Sequence, residues 1–288
     1  MKRLLARLGL IILLTSATMC AGASAPIKEK AEITIASFNL RMDTKNDGDN
    51  QWSNRKELVK SLIRFHDFDI FGVQEAFKHM LDGIAELKEY AYIGEGRDGG
   101  DEGEHSAIIY RKEKFTLLVS GNFWFSETPD KVGLGWDATC CNRICSWGKF
   151  REKASGKVFF FFNSHFDHQG VVARRESAKL LLKKIKQIAG RSTVFSTGDY
   201  NATPESEPMQ ILLNDGLLAD SYKLSEQPPY GTYGTYNGWS IKKQGADERI
   251  DHIYVTKNVR ILKYGTLNDL PYGRFPSDHY PIMIKVVF

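Results

Sequence analysis

Six short polar clusters in this chain carry the side chains that hydrolytic chemistry uses. Asn39 follows the run ITIASF, Gln74 and Glu75 follow DIFGV, and His165 follows VFFFFNS. Gly198-Asp199-Tyr200-Asn201 follows TVFST, Asp251 and His252 lie within RIDHIYV, and Ser277-Asp278-His279-Tyr280-Pro281 precedes the last apolar run. Each cluster alone is a weak signal. Asn39 suits a turn, GDYN suits a tight turn, and SDHYP suits a loop entering a strand. Together they supply carboxylates, amides and histidines, each at the edge of an apolar run. Carboxylate and amide oxygens suit a hard divalent cation such as Mg²⁺ or Mn²⁺. A histidine beside a carboxylate suits proton transfer and charge neutralisation, which attack of water on an anionic phosphate ester requires.

The apolar runs predict the elements that position these groups. Ile33 to Phe38, Asp69 to Val73, Ala107 to Tyr110, Thr193 to Ser196 and Ile250 to Val255 read as strands, and Ile282, Ile284 and Val286 alternate in a final one. Val158 to Phe162 is continuously apolar, as in a strand covered on both faces. Asn54 and Glu57 have capping-box spacing, which predicts a helix with Leu58, Val59, Leu62 and Ile63 on one face. Ala178, Leu181, Leu182, Ile185 and Ile188 form a second helical stripe, closed by Gly190. Many strands with two or three helices predict two packed β-sheets with helices outside. Strand ends of such a scaffold bring sequence-distant side chains together with precision.

The ordered set resembles the endonuclease/exonuclease/phosphatase superfamily, which has the deoxyribonuclease I-like fold. The likeness runs from FNLR at Phe38 to SDHYP at Pro281, and WFSETPD and SHFDHQGVVARRESA resemble secreted bacterial members. The resemblance implies a four-layered α/β sandwich: two mainly antiparallel or mixed sheets, face to face, with helices outside. It places Asn39 and Glu75 at metal-binding positions, with Asp278 near the same ion. Asp199 matches the residue that orients or deprotonates the attacking water, and Asn201 and His165 match groups that hold phosphate oxygens. Asp251 and His279 match a carboxylate–histidine pair, which leaves either Asp199 or His279 as general base. Arg143 and Tyr110 fall in segments that resemble cleft-lining positions and are expected phosphate contacts. Arg41 stands where abasic-site endonucleases carry a metal-binding aspartate, so a single tightly held ion is expected, with Arg41 free to meet phosphate.

Other features bound the function. Lys2, Arg3 and Arg7 precede the apolar stretch Leu8 to Leu14 and small residues through Ala25, the order of a secretory signal peptide. Residues 1–25 are expected to be a leader cleaved near Ala21-Gly22-Ala23, and 26–288 one catalytic domain, secreted or periplasmic. Cys20 offers a lipoprotein alternative behind a poor lipidation box. No later run is long enough to span a membrane. The chain carries a net charge of +4; without the leader, 36 basic residues face 35 acidic ones, a net charge of +1. That balance lacks the field of a strong non-specific nucleic-acid binder. Cys140, Cys141 and Cys145 are expected to be small buried residues with room for one local disulfide.

Asp167 and His168 are expected to line or support the site, and Tyr236 and Trp239, within YGTYGTYNGW, to form an aromatic substrate wall. His66, His79, His105 and His252 read as surface or packing residues. His165-Phe166-Asp167-His168 also resembles part of the HxHxDH zinc motif, but its first histidine would fall on Asn163. The expected activity is Mg²⁺- or Mn²⁺-dependent phosphate-ester hydrolysis. A phosphodiester is preferred, in a small molecule or nucleic acid, because the inositol phosphatase signature is absent around Arg249. A sphingomyelinase-like lipid or sugar phosphoesterase is the alternative, and a non-catalytic binding module on the same fold is the alternative of another class. No stable protein partner is implied.

Overall fold

A computed structural model describes residues 32–243 and 248–288. The expected leader, with Cys20, lies outside the described residues. The first sheet contains β1 (Ile33–Asn39), β2 (Ile70–Gln74), β3 (Tyr90–Ile93), β4 (Ile108–Arg111), β11 (Arg260–Thr266) and β12 (Ile282–Val287), in the order β11-β12-β1-β2-β4-β3. The second contains β5 (Phe115–Trp124), β6 (Ile144–Glu152), β7 (Val158–His165), β8 (Thr193–Asp199), β9 (Leu218–Asp220) and β10 (Asp251–Thr256), in the order β5-β6-β7-β8-β10-β9. Both sheets are mixed, since β1 pairs parallel to β2 and β7 parallel to β8 while the remaining pairs are antiparallel.

The alternation of side chains explains the continuous apolar runs. In β7, Phe159 and Phe161 join Ile35, Ile70 and Phe195 between the sheets. Phe160 and Phe162 point the other way, into a core with Leu181, Leu182 and Ile185 of α3 (Val171–Ala189) and Met209 and Leu212 of α4 (Glu207–Asn214). On the far side, Ala36, Phe38, Phe71 and Val73 pack against α1 (Trp52–Phe65) and α2 (Lys78–Ala85). Successive strand residues face opposite layers, so a strand with cores on both sides has no polar face. The result is helix, sheet, sheet, helix.

One polar group crosses the middle. Asn163 is wholly buried. Its Nδ2 donates to Val73 O at 2.8 Å and Ala107 O at 2.9 Å, while its Oδ1 accepts from Gln74 Nε2 at 2.7 Å and Thr197 Oγ1 at 3.0 Å. Gly72 makes room for it, since a Cβ there would lie 2.2 Å from Asn163 Oδ1. Asn163 thus bridges the two sheets instead of offering a metal ligand.

Several local expectations need correction. α1 begins at Trp52, two residues before Asn54, and Gln51 at its N-cap makes no side-chain capping bond. Burial of the Trp52 ring moves the start, and Asp43 Oδ1 accepts from Trp52 N at 3.2 Å from a distance of nine residues. Cys140 is exposed and Cys141 half-buried, and the two are joined as a vicinal disulfide, whereas Cys145 is buried and free. Helices α2 and α4 and strands β3, β5, β6, β9 and β11 were not separately read from the sequence. Gly190 does close α3, at φ 58°.

Candidate active site

Strand direction brings the polar clusters to one rim. Parallel pairing aligns Asn39 with Gln74 and His165 with Asp199, so the carboxyl ends of β1, β2, β7 and β8 share an edge. Antiparallel β10 enters at that edge and sets Asp251 opposite Asp199. Antiparallel β12 also enters there, which puts Asp278 and His279 just before it. The chain turns sharply on leaving three of these strands: Arg41, Glu75 and Asn201 have φ of 56°, 59° and 49°. Left-handed backbone is costly for residues with a Cβ and persists where the surroundings enforce it.

The groups are tied across both sheets. Asn39 Nδ2 donates to Glu75 Oε1 and to Asp199 Oδ2, each at 2.9 Å. Its Oδ1 accepts from Arg41 N at 2.9 Å, so the amide nitrogen is what meets the carboxylates. Ser277 Oγ donates to Asn39 O at 2.7 Å, which pins the last loop to β1. Arg55, buried on α1, donates to Leu40 O and Pro276 O at 2.8 Å and to Arg41 O at 3.0 Å.

Asp199 stands at the centre. Its Oδ1 accepts from Asn201 N at 2.9 Å, and its Oδ2 lies 3.7 Å from His165 Nε2 and 3.8 Å from His279 Nε2. His279 Nδ1 meets Asp251 Oδ2 at 2.9 Å. Burial alone would lower the His279 pKa; Asp251 and Asp199 overcome it and hold the imidazole charged. Burial, with the neighbouring cations Arg143 and Arg97, drives His165 the other way, to its neutral form. Burial and repulsion from Asp251 raise Asp199 above the ordinary carboxylate range. Burial also raises Asp278, with Glu75 adding to it, although Arg41 stands 3.8 Å from Asp278 and 4.0 Å from Glu75.

A cleft of about 470 Å³ opens above this rim. Arg41, Glu75, Arg143, His165, His168, Asp199, Asn201, Tyr236, Asp278 and His279 line it. Asn39 and Asp251 stand behind these as hydrogen-bond partners. Asp167 is also behind: its Oδ1 accepts from Gln169 N and Gly170 N, and Oδ2 lies 3.5 Å from Arg143 Nε. His168 Nδ1 lies 2.8 Å from Arg143 Nη2. Tyr236 packs edge-on to His279, with ring centroids 5.1 Å apart.

Tyr110 and Trp239 are not brought to the cleft. Tyr110 pairs with Ile70 at the opposite end of β2, and its ring packs edge-on to Phe150 between the sheets. Trp239 stacks on the Arg55 guanidinium, 5.2 Å from ring centroid to Cζ, and so braces the groups beneath the site. Arg97 and Glu104, which no sequence motif marks, also line the cleft from the Gly- and acid-rich loop between β3 and β4. The density of glycines and charges in that loop was the available signal. His252, expected to pack, is fully buried with Nε2 on Ala202 O.

Among the described residues, two groups bring ligand-type atoms within 4.8 Å of one another: Glu75, Asp199 and His279, and Cys140, Asp167 and His168. In the second, Cys140 is spent in the disulfide and Asp167 caps backbone amides. In the first, the charged His279 has no lone pair to offer, but the carboxylates of Glu75 and Asp199, with Asp278 nearby, supply oxygen ligands that fit a hard divalent cation.

The sequence model of the Endonuclease/Exonuclease/phosphatase family matches residues 36–279, which span the first polar cluster to the last. A mannosyl-6-phosphatase structure from Bacteroides thetaiotaomicron VPI-5482 is 40% identical, with a TM-score of 0.83 over 89% of this chain and 100% of that one. An endonuclease/exonuclease/phosphatase structure from Bacteroides vulgatus is 38% identical, with a TM-score of 0.85 over 89% of this chain and 99% of that one. An uncharacterized protein of Acanthamoeba polyphaga mimivirus is 27% identical over 81% of this chain and 91% of its own length. The family match covers the whole second sheet and all of the first but the start of β1 and the final strand β12, and the chain belongs to the Endonuclease/Exonuclease/phosphatase family.

Proposed function

We propose that this chain is an exported, divalent-metal-dependent hydrolase of compact phosphate esters, its first 25 residues serving as the leader. The observation that carries the reading is the convergence of Asp199, His165, His279 and the Glu75–Asp278 carboxylates in one cleft of about 470 Å³. Glu75 and Asp278 are the groups that would hold Mg²⁺ or Mn²⁺, with Asn39 fixing Glu75 in place. The ion, when bound, would withdraw charge from a phosphoryl oxygen. Arg41 and Arg143 bring fixed positive charge to the same oxygens. The charged His279 donates a proton or hydrogen bond to a phosphoryl oxygen, and Asp251 fixes its orientation. Asn201 and neutral His165 are placed to donate as well. Asp199, with its raised pKa and two hydrogen-bonding anchors, is the better general base, because His279 already holds its proton.

Within that class, a phosphomonoester is the leading substrate. A terminal phosphate carries nearly two charges and three free oxygens, and the cleft offers Arg41 and Arg143 besides His279. The Bacteroides mannosyl-6-phosphatase, at 40% identity, is consistent with it. The phosphodiester expected from the sequence is the second reading. It is favoured by the Tyr236 ring beside His279, which offers a surface to a second ester substituent. The test is hydrolysis by the mature protein with Mg²⁺ or Mn²⁺. The panel is hexose 6-phosphates, p-nitrophenyl phosphate, bis-p-nitrophenyl phosphate, short DNA and RNA, and sphingomyelin. Faster turnover of monoesters supports the first reading and faster turnover of diesters the second. Failure to hydrolyse any ester with either ion overturns both and leaves a binding module.

A further inference from the structure

We propose that Arg97 and Glu104 form a hydroxyl-recognising subsite beside the phosphate position, so that the favoured ester is a sugar or other polyol phosphate. This rests on the phosphate-ester reading above. The two side chains come from one loop, between β3 and β4. That loop doubles back on itself: Arg97 N donates to Glu104 O at 2.8 Å, Asp98 N to Glu102 O at 3.1 Å and Gly96 N to Gly100 O at 2.7 Å. Gly99, Gly100 and Gly103 take left-handed backbone, and a Cβ at Gly96 would lie 2.0 Å from Glu102 O. Three outside contacts fix the hook. Trp124 Nε1 donates to Arg97 O and Asn142 Nδ2 to Asp98 Oδ1, each at 2.8 Å, and His105 N donates to Ala76 O at 2.8 Å. The loop therefore delivers Arg97 and Glu104 to the cleft in a set position.

There, Arg97 Nη1 pairs with Glu104 Oε2 at 2.8 Å, and both residues line the cleft with Arg143 and His165. Arg97 Nε and Arg143 Nη1 are buried without a protein hydrogen-bond partner. Spare donors beside a carboxylate suit a ligand that both gives and accepts hydrogen bonds. A hydroxyl does both: it donates to Glu104 and accepts from a guanidinium. A second phosphate only accepts, and Glu104 would repel it. Burial and the nearby Glu75 already strain the Glu104 charge, pushing its carboxyl up to about 7, and another anion would add to that strain. A purely apolar leaving group would leave the buried donors unpaired, which is costly.

The test uses calorimetric binding and turnover. In chelator, the wild-type protein should bind a hexose 6-phosphate at least tenfold more tightly than hexyl phosphate, which has the same chain length and no hydroxyls. With metal, Glu104→Gln and Arg97→Gln should lower the ratio of kcat/KM for hexose 6-phosphate over p-nitrophenyl phosphate by tenfold or more. Unfolding midpoints are read alongside. Equal wild-type binding of the two esters overturns the subsite even if a variant fails to fold, as does an unchanged ratio in folded variants. If neither ester binds or reacts, the phosphate-ester reading fails, and the subsite fails with it.

Discussion

The Asp251–His279 pair gives the sharpest prediction. Asp251→Asn keeps the side-chain shape and removes one negative charge 2.9 Å from His279 Nδ1. At an effective dielectric of about 20, that contact contributes at most about 6 kcal/mol to the charged imidazole, equivalent to about 4 pKa units. Asp199, 3.8 Å away on the other ring nitrogen, retains about 4 kcal/mol of attraction on the same scale. Burial opposes both. The variant His279 should therefore lose its proton within the range where the wild-type residue keeps it. A group whose pKa is raised in the native site is charged below that pKa and neutral above it, so the loss must grow as pH rises. We expect kcat/KM to fall by about a hundredfold at pH 7, the scale of a lost proton donor, with partial recovery toward pH 5.5. The assay is a kcat/KM profile from pH 5.5 to 8.5 on the best ester found, with circular dichroism to verify folding. Parallel profiles that differ by less than about threefold would refute the assignment of His279 as a charged donor held by Asp251.

Four further outcomes follow from the structure. His252 is buried and neutral, its pKa lowered to about 4 by burial and Arg249, so the unfolded chain takes up a proton that the native protein resists. Stability should fall by about 3 kcal/mol as pH drops from about 6.5 to 4, and His252→Gln should flatten that part of the curve of unfolding free energy against pH. Asn163→Ala removes four hydrogen bonds, three of which bridge the sheets, and should cost about 2–4 kcal/mol in urea unfolding; a cost below about 1 kcal/mol would mean that the bridge is dispensable. Chelator should abolish hydrolysis and Mg²⁺ or Mn²⁺ restore it. The ion at a hundredfold excess over Kd should stabilise the protein by about 2.7 kcal/mol, and full activity in chelator would contradict the metal reading. For a compact ester, KM should vary with salt with a log–log slope of about one or two, whereas about six or more would indicate a long polyanion groove.

The strand ends were legible because their signal is local. An apolar run followed by a carboxylate, amide or histidine marks both the element and its functional edge. Asn39, Glu75, His165, Asp199, Asn201, Asp251, Asp278 and His279 each sit at such an edge, and the structure gathers all of them at one rim or directly behind it. Tyr110 shows where that reasoning stops. It ends an apolar run like the others, but β4 is antiparallel to β2, so its last residues lie at the end away from the rim. Trp239 belongs to an aromatic loop, and only the position of Arg55 on a distant helix determines that its ring braces the site instead of lining it.

What the sequence determined by itself is the periodicity and the chemistry. Phe159 to Phe162 must be covered on both faces, because alternating side chains with no polar member leave no face for water. That requirement implies layers on either side of the sheet, and the ordered polar clusters imply a hydrolytic site. Tertiary structure decided which groups meet. Asn163 has no recognisable sequence pattern as a bridge, since its four partners come from β2, β8 and the residue before β4. Arg97 and Glu104 reach the cleft only because their loop is hooked by glycine backbone and pinned to Trp124, Asn142 and Ala76. The opposite protonation of His165 and His279 comes from burial and from the charges packed around each ring, and the largest of these, Arg143 and Arg97 for one and Asp251 and Asp199 for the other, lie far away in sequence.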